Sequence, residues 1–179
     1  PPLLPLILSI FKKEWLDRNQ GFISPAFDVL HSLTVFGMGY VATGNPIGGY
    51  IAQIIYALTP VVPLEASNLS LRTLSSLIFT WAMLAVISYA ISPDPFNLVI
   101  AIAMIILLSY THRMSVQILF FTAIGFTIID KNSVYLEIFL IGIAAAIFLF
   151  KGQYLRYLRG QLLMISFWMY NIQNRLAHQ

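Results

Sequence analysis

Residues 73–110 read TLSSLIFTWAMLAVISYAISPDPFNLVIAIAMIILLSY. Two apolar runs, 73–91 and 96–110, are parted only by Ser92-Pro93-Asp94-Pro95, and Asp94 is the one charge in the stretch. The two prolines mark a tight turn, because proline cannot extend a helix and restricts the residue before it. Neither run has a polar face, so a helix made from either is apolar all round, as in the core of a large protein or in lipid. The chain has only 179 residues, 59% of them hydrophobic and 9% charged. A soluble domain carries about 25% charged residues. These numbers leave too little polar surface to face water, and the sequence therefore predicts an all-α, polytopic integral membrane bundle.

The same alternation of apolar run and turn signal extends in both directions. Ser24-Pro25 opens a first span over 26–43, which Gly44-Asn45-Pro46 closes. A second span over 47–64 carries Pro60 and Pro63, which should kink it, and a polar loop follows to Arg72. Spans three and four are the runs over 73–91 and 96–110, and Thr111-His112-Arg113 turns the chain into a fifth over 115–129. Asp130-Lys131-Asn132-Ser133 leads into a sixth over 134–150. Several of these fall short of the ~20 residues that cross ~30 Å of hydrocarbon, so they borrow a turn from their flanks or thin the bilayer. The first two spans could instead form a re-entrant hairpin. Three segments result: 1–20, 24–150 and 151–179.

The basic residues agree with six spans. Lys12, Lys13, Arg18, Arg72, Arg113, Lys151, Arg156, Arg159 and Arg175 fall on one side and only Lys131 on the other. Lysine and arginine collect in the cytoplasm, so both termini are expected there. The absence of cysteine excludes disulfides, thiolate metal sites and cysteine nucleophiles. No metal motif or cofactor fingerprint is present, and the scattered cations lack the pattern of a nucleic-acid surface.

Both ends read as amphipathic. Over 5–18, Leu4, Leu8, Phe11 and Trp15 recur at helical spacing against Lys12, Lys13, Glu14, Asp17 and Arg18, until Asn19-Gln20-Gly21 breaks the helix. This segment suits either the membrane interface or the protein's own bundle. Its apolar run precedes its lysines, the reverse of a secretory leader, and a chain opening on Pro1 is expected to have residues before it. Over 151–179, Leu155, Leu158, Leu162, Ile165, Met169, Ile172 and Leu176 form a heptad seam, broadened by Met164, Phe167 and Trp168. The seam is expected to meet a partner helix or the bilayer surface rather than fold beneath its own bundle.

Few side chains could carry chemistry. Asp28 and His31 stand three apart on one helix face, half of a proton relay or metal site. They fall about two turns into the first span, where a locally satisfied pair anchoring the helix end is the expected role. Glu137 should snorkel outward or pair with Lys131. Arg72, His112 and Arg113 are topogenic charges that could hold a lipid phosphate, and Gln53 and Gln117 are mid-span amides suited to bonds between helices. Gly37 and Gly39 in the first span, and Gly142 with Ala146 in the sixth, permit close helix contact. With so few acids and bases, the expected function is a non-catalytic accessory or scaffolding subunit of a larger membrane complex of transport or secretion type, with the lipid bilayer and other subunits or further copies as partners. Two alternatives stand beside it. One is a lipid-processing membrane enzyme using Asp28 and His31. The other is a small oligomeric channel or carrier lined by Gln53 and Gln117.

Overall fold

The computed structural model describes residues 3–59, 71–149 and 153–172. Every element among them is a helix: α1 (Leu3–Leu8), α2 (Lys13–Thr43), α3 (Pro46–Leu58), α4 (Leu71–Ile91), α5 (Pro95–Ser109), α6 (Arg113–Asp130), α7 (Val134–Leu149) and α8 (Gln153–Asn171). The all-α class is thus established. The kink expected at Pro60 and Pro63, the polar loop after it, Lys151 and the seam beyond Ile172 lie outside the described residues.

Turn chemistry sets the element ends. Gly44 closes α2 in the left-handed region at φ 65°, and its N–H bonds the Tyr40 carbonyl. Asn45 then caps α3, its Oδ1 accepting the Ile47 N–H at 2.9 Å, with Pro46 in the first turn where no donor is needed. Pro95 opens α5 in the same way. Connections of two or three residues join α2 to α3, α4 to α5, α5 to α6 and α6 to α7, and links so short make neighbours antiparallel.

The N-terminal segment departs from expectation. The predicted helix over 5–18 is two pieces, divided at Ser9–Lys12. Ser9 Oγ donates to the Leu6 carbonyl at 2.7 Å, Ile10 and Phe11 bond back three residues, and Lys12 is extended. A serine that bonds its own turn competes with the helix in this way. The break expected at Asn19-Gln20-Gly21 is absent, for α2 runs unbroken through it and through Pro25. Asn19 Nδ2 donates to the Trp15 carbonyl at 2.8 Å, which keeps this residue compatible with the helix.

The core lies between α4, α5, α6 and α7. Leu74, Ile78, Ala82 and Val86 of α4 meet Ala101, Ile105 and Leu108 of α5, Val116, Leu119 and Ala123 of α6, and Tyr135, Ile138 and Phe139 of α7. Small residues set the closest approach: a Cβ on Gly142 would lie 2.6 Å from the Ile105 side chain. The Gly142–Ala146 pair therefore serves a contact within this chain. The α2–α3 hairpin docks on α4 through α2. Helix α1 closes one end of the core, with Leu4 buried and the Leu3 N–H on the Tyr110 carbonyl at 3.3 Å.

Outside the core the same helices stay apolar. Val99, Ile118, Phe121, Ile128, Leu140 and Phe148 are all more than half exposed. Among the described residues one helix, α4, is long and apolar enough to cross a membrane alone; α3, α5, α6 and α7 are apolar but shorter. Of the six expected spans, several of them short, one alone meets the length and composition of a membrane crossing among the described residues. Helix α8 leans chiefly on the end of α7, and Leu155, Leu162, Phe167, Trp168, Met169 and Ile172 are exposed.

Candidate functional site

The polar groups on the inner face of α2 gather where α2, α3 and α4 meet. Tyr56 reaches across from α3, and its hydroxyl donates to Asp28 Oδ1 at 2.6 Å. The same oxygen lies 3.0 Å from His31 Nδ1, and the two rings meet edge to face with centroids 4.8 Å apart. On the far side of the imidazole, Nε2 lies 2.9 Å from Thr80 Oγ1 on α4. Asp28 and His31, predicted as a pair, are thus joined through a tyrosine supplied by the next helix. Two further bonds flank them: Gln53 Nε2 donates to Ser32 Oγ at 2.9 Å, and Trp81 Nε1 donates to Thr34 Oγ1 at 3.0 Å.

Donor and acceptor counting fixes the direction of the chain. The Tyr56 proton is given to Asp28, so Oη can only accept from His31, which places a proton on Nδ1. A neutral imidazole then has Nε2 free to accept the Thr80 hydroxyl proton. Every bond runs the same way, from Thr80 through His31 and Tyr56 to Asp28. Each internal member both donates and accepts, so one added proton, ending on Asp28, would reverse the order without moving a heavy atom.

The depth of this cluster corrects its sequence assignment. Asp28 was placed near a helix end, but α2 begins at Lys13, and Asp28 stands at its middle. Thr80 and Trp81 stand at the middle of α4. The network therefore occupies the central level of the one described helix long enough to cross a membrane.

The other candidates are dispersed. Gln53 joins α3 to α2, whereas Gln117 is half-buried on α6 with no hydrogen bond among the described residues. Glu137 accepts from Ser133 Oγ at 2.6 Å rather than pairing with Lys131. Arg72 is exposed near the start of α4 and His112 precedes α6, and the side chains of Arg113, Leu158 and Ile165 lie outside the described residues. No group of three His, Cys, Asp or Glu residues able to hold a metal occurs among the described residues. Tyr56, Thr80, Thr34, Ser32 and Trp81 were not singled out from sequence; a tyrosine three positions after Gln53 shares its helix face, and that was the available signal.

No family model matches the chain, and no curated protein or solved structure is similar to it at a level that would show kinship.

Proposed function

We propose that this chain is a polytopic membrane protein of a transport assembly, in which Asp28, Tyr56, His31 and Thr80 hold and pass a proton. The observation that carries this reading is the position of the network at the centre of α4. Ionisable side chains at such depth in a bilayer are costly and mark ion or proton paths. The exposed apolar belt supports the membrane setting, since contiguous apolar patches beyond a few hundred Å² are rare on soluble monomers. The antiparallel links also agree with the nine-to-one division of lysine and arginine. Helices of 13–18 residues fit a locally thinned bilayer.

The proton step balances within the chain. A proton taken up at Nε2 releases the Nδ1 proton to Tyr56 Oη, and the Tyr56 proton passes to Asp28. The imidazole ends neutral in its other tautomer and the carboxylate ends protonated. Asp28→Asn keeps an acceptor for Tyr56 but removes the proton's destination. In liposomes holding a pH-sensitive dye, the wild type should carry protons down an imposed gradient, and Asp28→Asn should carry none while melting within a few degrees of it. Equal flux in the two proteins overturns the reading.

A second reading, the non-catalytic subunit of a larger membrane complex, rests on α8. Its seam residues Leu155, Leu162, Met169 and Ile172 are exposed, and such a face needs a cover. If purified wild type passes no protons, this reading remains. The lipid-processing alternative finds less support, because Arg72 stands eight residues from Thr80, roughly 12 Å along α4, and the described side chains offer no head-group cation beside Asp28.

A further inference from the structure

The elbow between α1 and α2 encloses a groove of about 390 Å³, lined by Ile7, Leu8 and Phe11 on one side and by Trp15, Ile23 and Phe27 on the other. Its one polar lining residue, Asn19, has already given an amide proton to the Trp15 carbonyl. Phe11 and Trp15 stack with ring centroids 4.6 Å apart, where the two sides meet. Directly after Phe11 come Lys12 and Lys13, both exposed and both without a charged partner among the described residues. Arg18 lies one turn past Trp15 and Glu14, and Asp17 lies one turn past Lys13, so 12–18 carries three cations and two carboxylates. The groove is therefore apolar inside, and its rim carries a small net positive charge led by Lys12 and Lys13.

We infer that this elbow binds an anionic phospholipid, with one acyl chain in the groove and the phosphate against Lys12 and Lys13. The inference rests on the membrane reading above. Elbow and α1 lie at the end of the bundle where Leu3 meets Tyr110, which the basic residues assign to the cytoplasmic leaflet, the leaflet rich in anionic lipid. The full chain in mild detergent, given trace phosphatidylglycerol or phosphatidylcholine with brominated acyl chains, tests it through quenching of Trp15 fluorescence; Trp15→Phe identifies that residue's share. Phosphatidylglycerol should quench Trp15 at about fivefold lower concentration, which is what roughly 1 kcal/mol of exposed charge pairing gives. Lys12→Gln with Lys13→Gln should erase the preference but keep the quenching, and Ala26→Phe, which fills the groove, should remove both. Equal quenching by the two wild-type lipids, quenching that survives Ala26→Phe, or none at all because another segment or partner fills the groove, overturns the inference. Alkaline extraction of membranes separates the two levels. Release of the wild-type chain refutes the membrane reading itself, whereas retention without lipid preference refutes only the elbow site.

Discussion

Tyr56 shows what a single hydroxyl decides in this protein. Its oxygen meets both Asp28 and His31, so Tyr56→Phe strips one partner from each at once. A buried polar group left unmade costs about 1–3 kcal/mol, and 1 kcal/mol moves Tm by about 2–4 °C in a chain of this size. Tyr56→Phe should therefore lower the melting temperature in detergent by several degrees, read by circular dichroism or dye unfolding. A melting temperature equal to wild type would mean that the bridge contributes nothing to stability. The sequence made Asp28 and His31 visible because three-residue spacing puts them on one helix face. It did not show Tyr56, since a partner on the next helix becomes visible only with the hairpin register. That register follows from the two-residue turn at Gly44–Asn45. Phe36 meets the Tyr50 ring, Ser32 meets Gln53 and Asp28 meets Tyr56, each step of four on α2 answered by three on α3 in the opposite direction.

Among the elements, α2 and α3 approach most closely through glycine. A Cβ on Gly49 would lie 2.7 Å from the Phe36 ring and 2.9 Å from its carbonyl oxygen, while one on Gly37 would meet nothing within 4 Å. Gly49→Ala should therefore destabilise by about 1–3 kcal/mol through overpacking. Gly37→Ala should stabilise by roughly 0.5–1 kcal/mol, the helix-propensity difference. Melting of the two proteins side by side checks the contrast, and the opposite order would mean that the hairpin is not packed as described. The sequence anticipated Gly37 and Gly39 alike as a flat patch, but only Gly39 faces α3, with Gly48 O 2.6 Å from its added Cβ. Element ends were legible at Gly44-Asn45-Pro46 and Pro95, but not at Ser24-Pro25, which reads as a helix start and lies inside α2. They were misread at Asn19-Gln20-Gly21, because a side chain that bonds four residues back supports the helix that its residue type usually ends. For α8, Leu162 is 65% exposed, so Leu162→Glu leaves the core untouched. It should release a partner subunit from the wild-type complex in mild detergent, with the body still inserted. Loss of the body from the membrane would show that α8 supports this chain's own fold.

At the scale of the molecule, the antiparallel links assign each turn to a side. Single cysteines placed in this cysteine-free chain at positions 45, 94 and 132 should react with an impermeant reagent outside intact cells, and those at 68 and 112 should not. Reaction at 112 would sink the arrangement. The all-α class and the order of helices were legible because lipid-like composition and turn residues both act locally. The start of α2 was not, since Asn19-Gln20-Gly21 and Pro25 read as a boundary that the helix runs through. The unbroken course of α2 has a mechanical consequence as well. At 31 residues it is a rod of roughly 46 Å, pinned to α4 near its middle by His31 on Thr80 and Thr34 on Trp81. A rod held at its middle is a seesaw, with a foot at Trp15 and a far tip at Gly44. Pressure that tilts the foot toward the bundle would swing the tip away from it, and the fulcrum where opposite motions cancel is where Asp28, His31 and Thr80 stand.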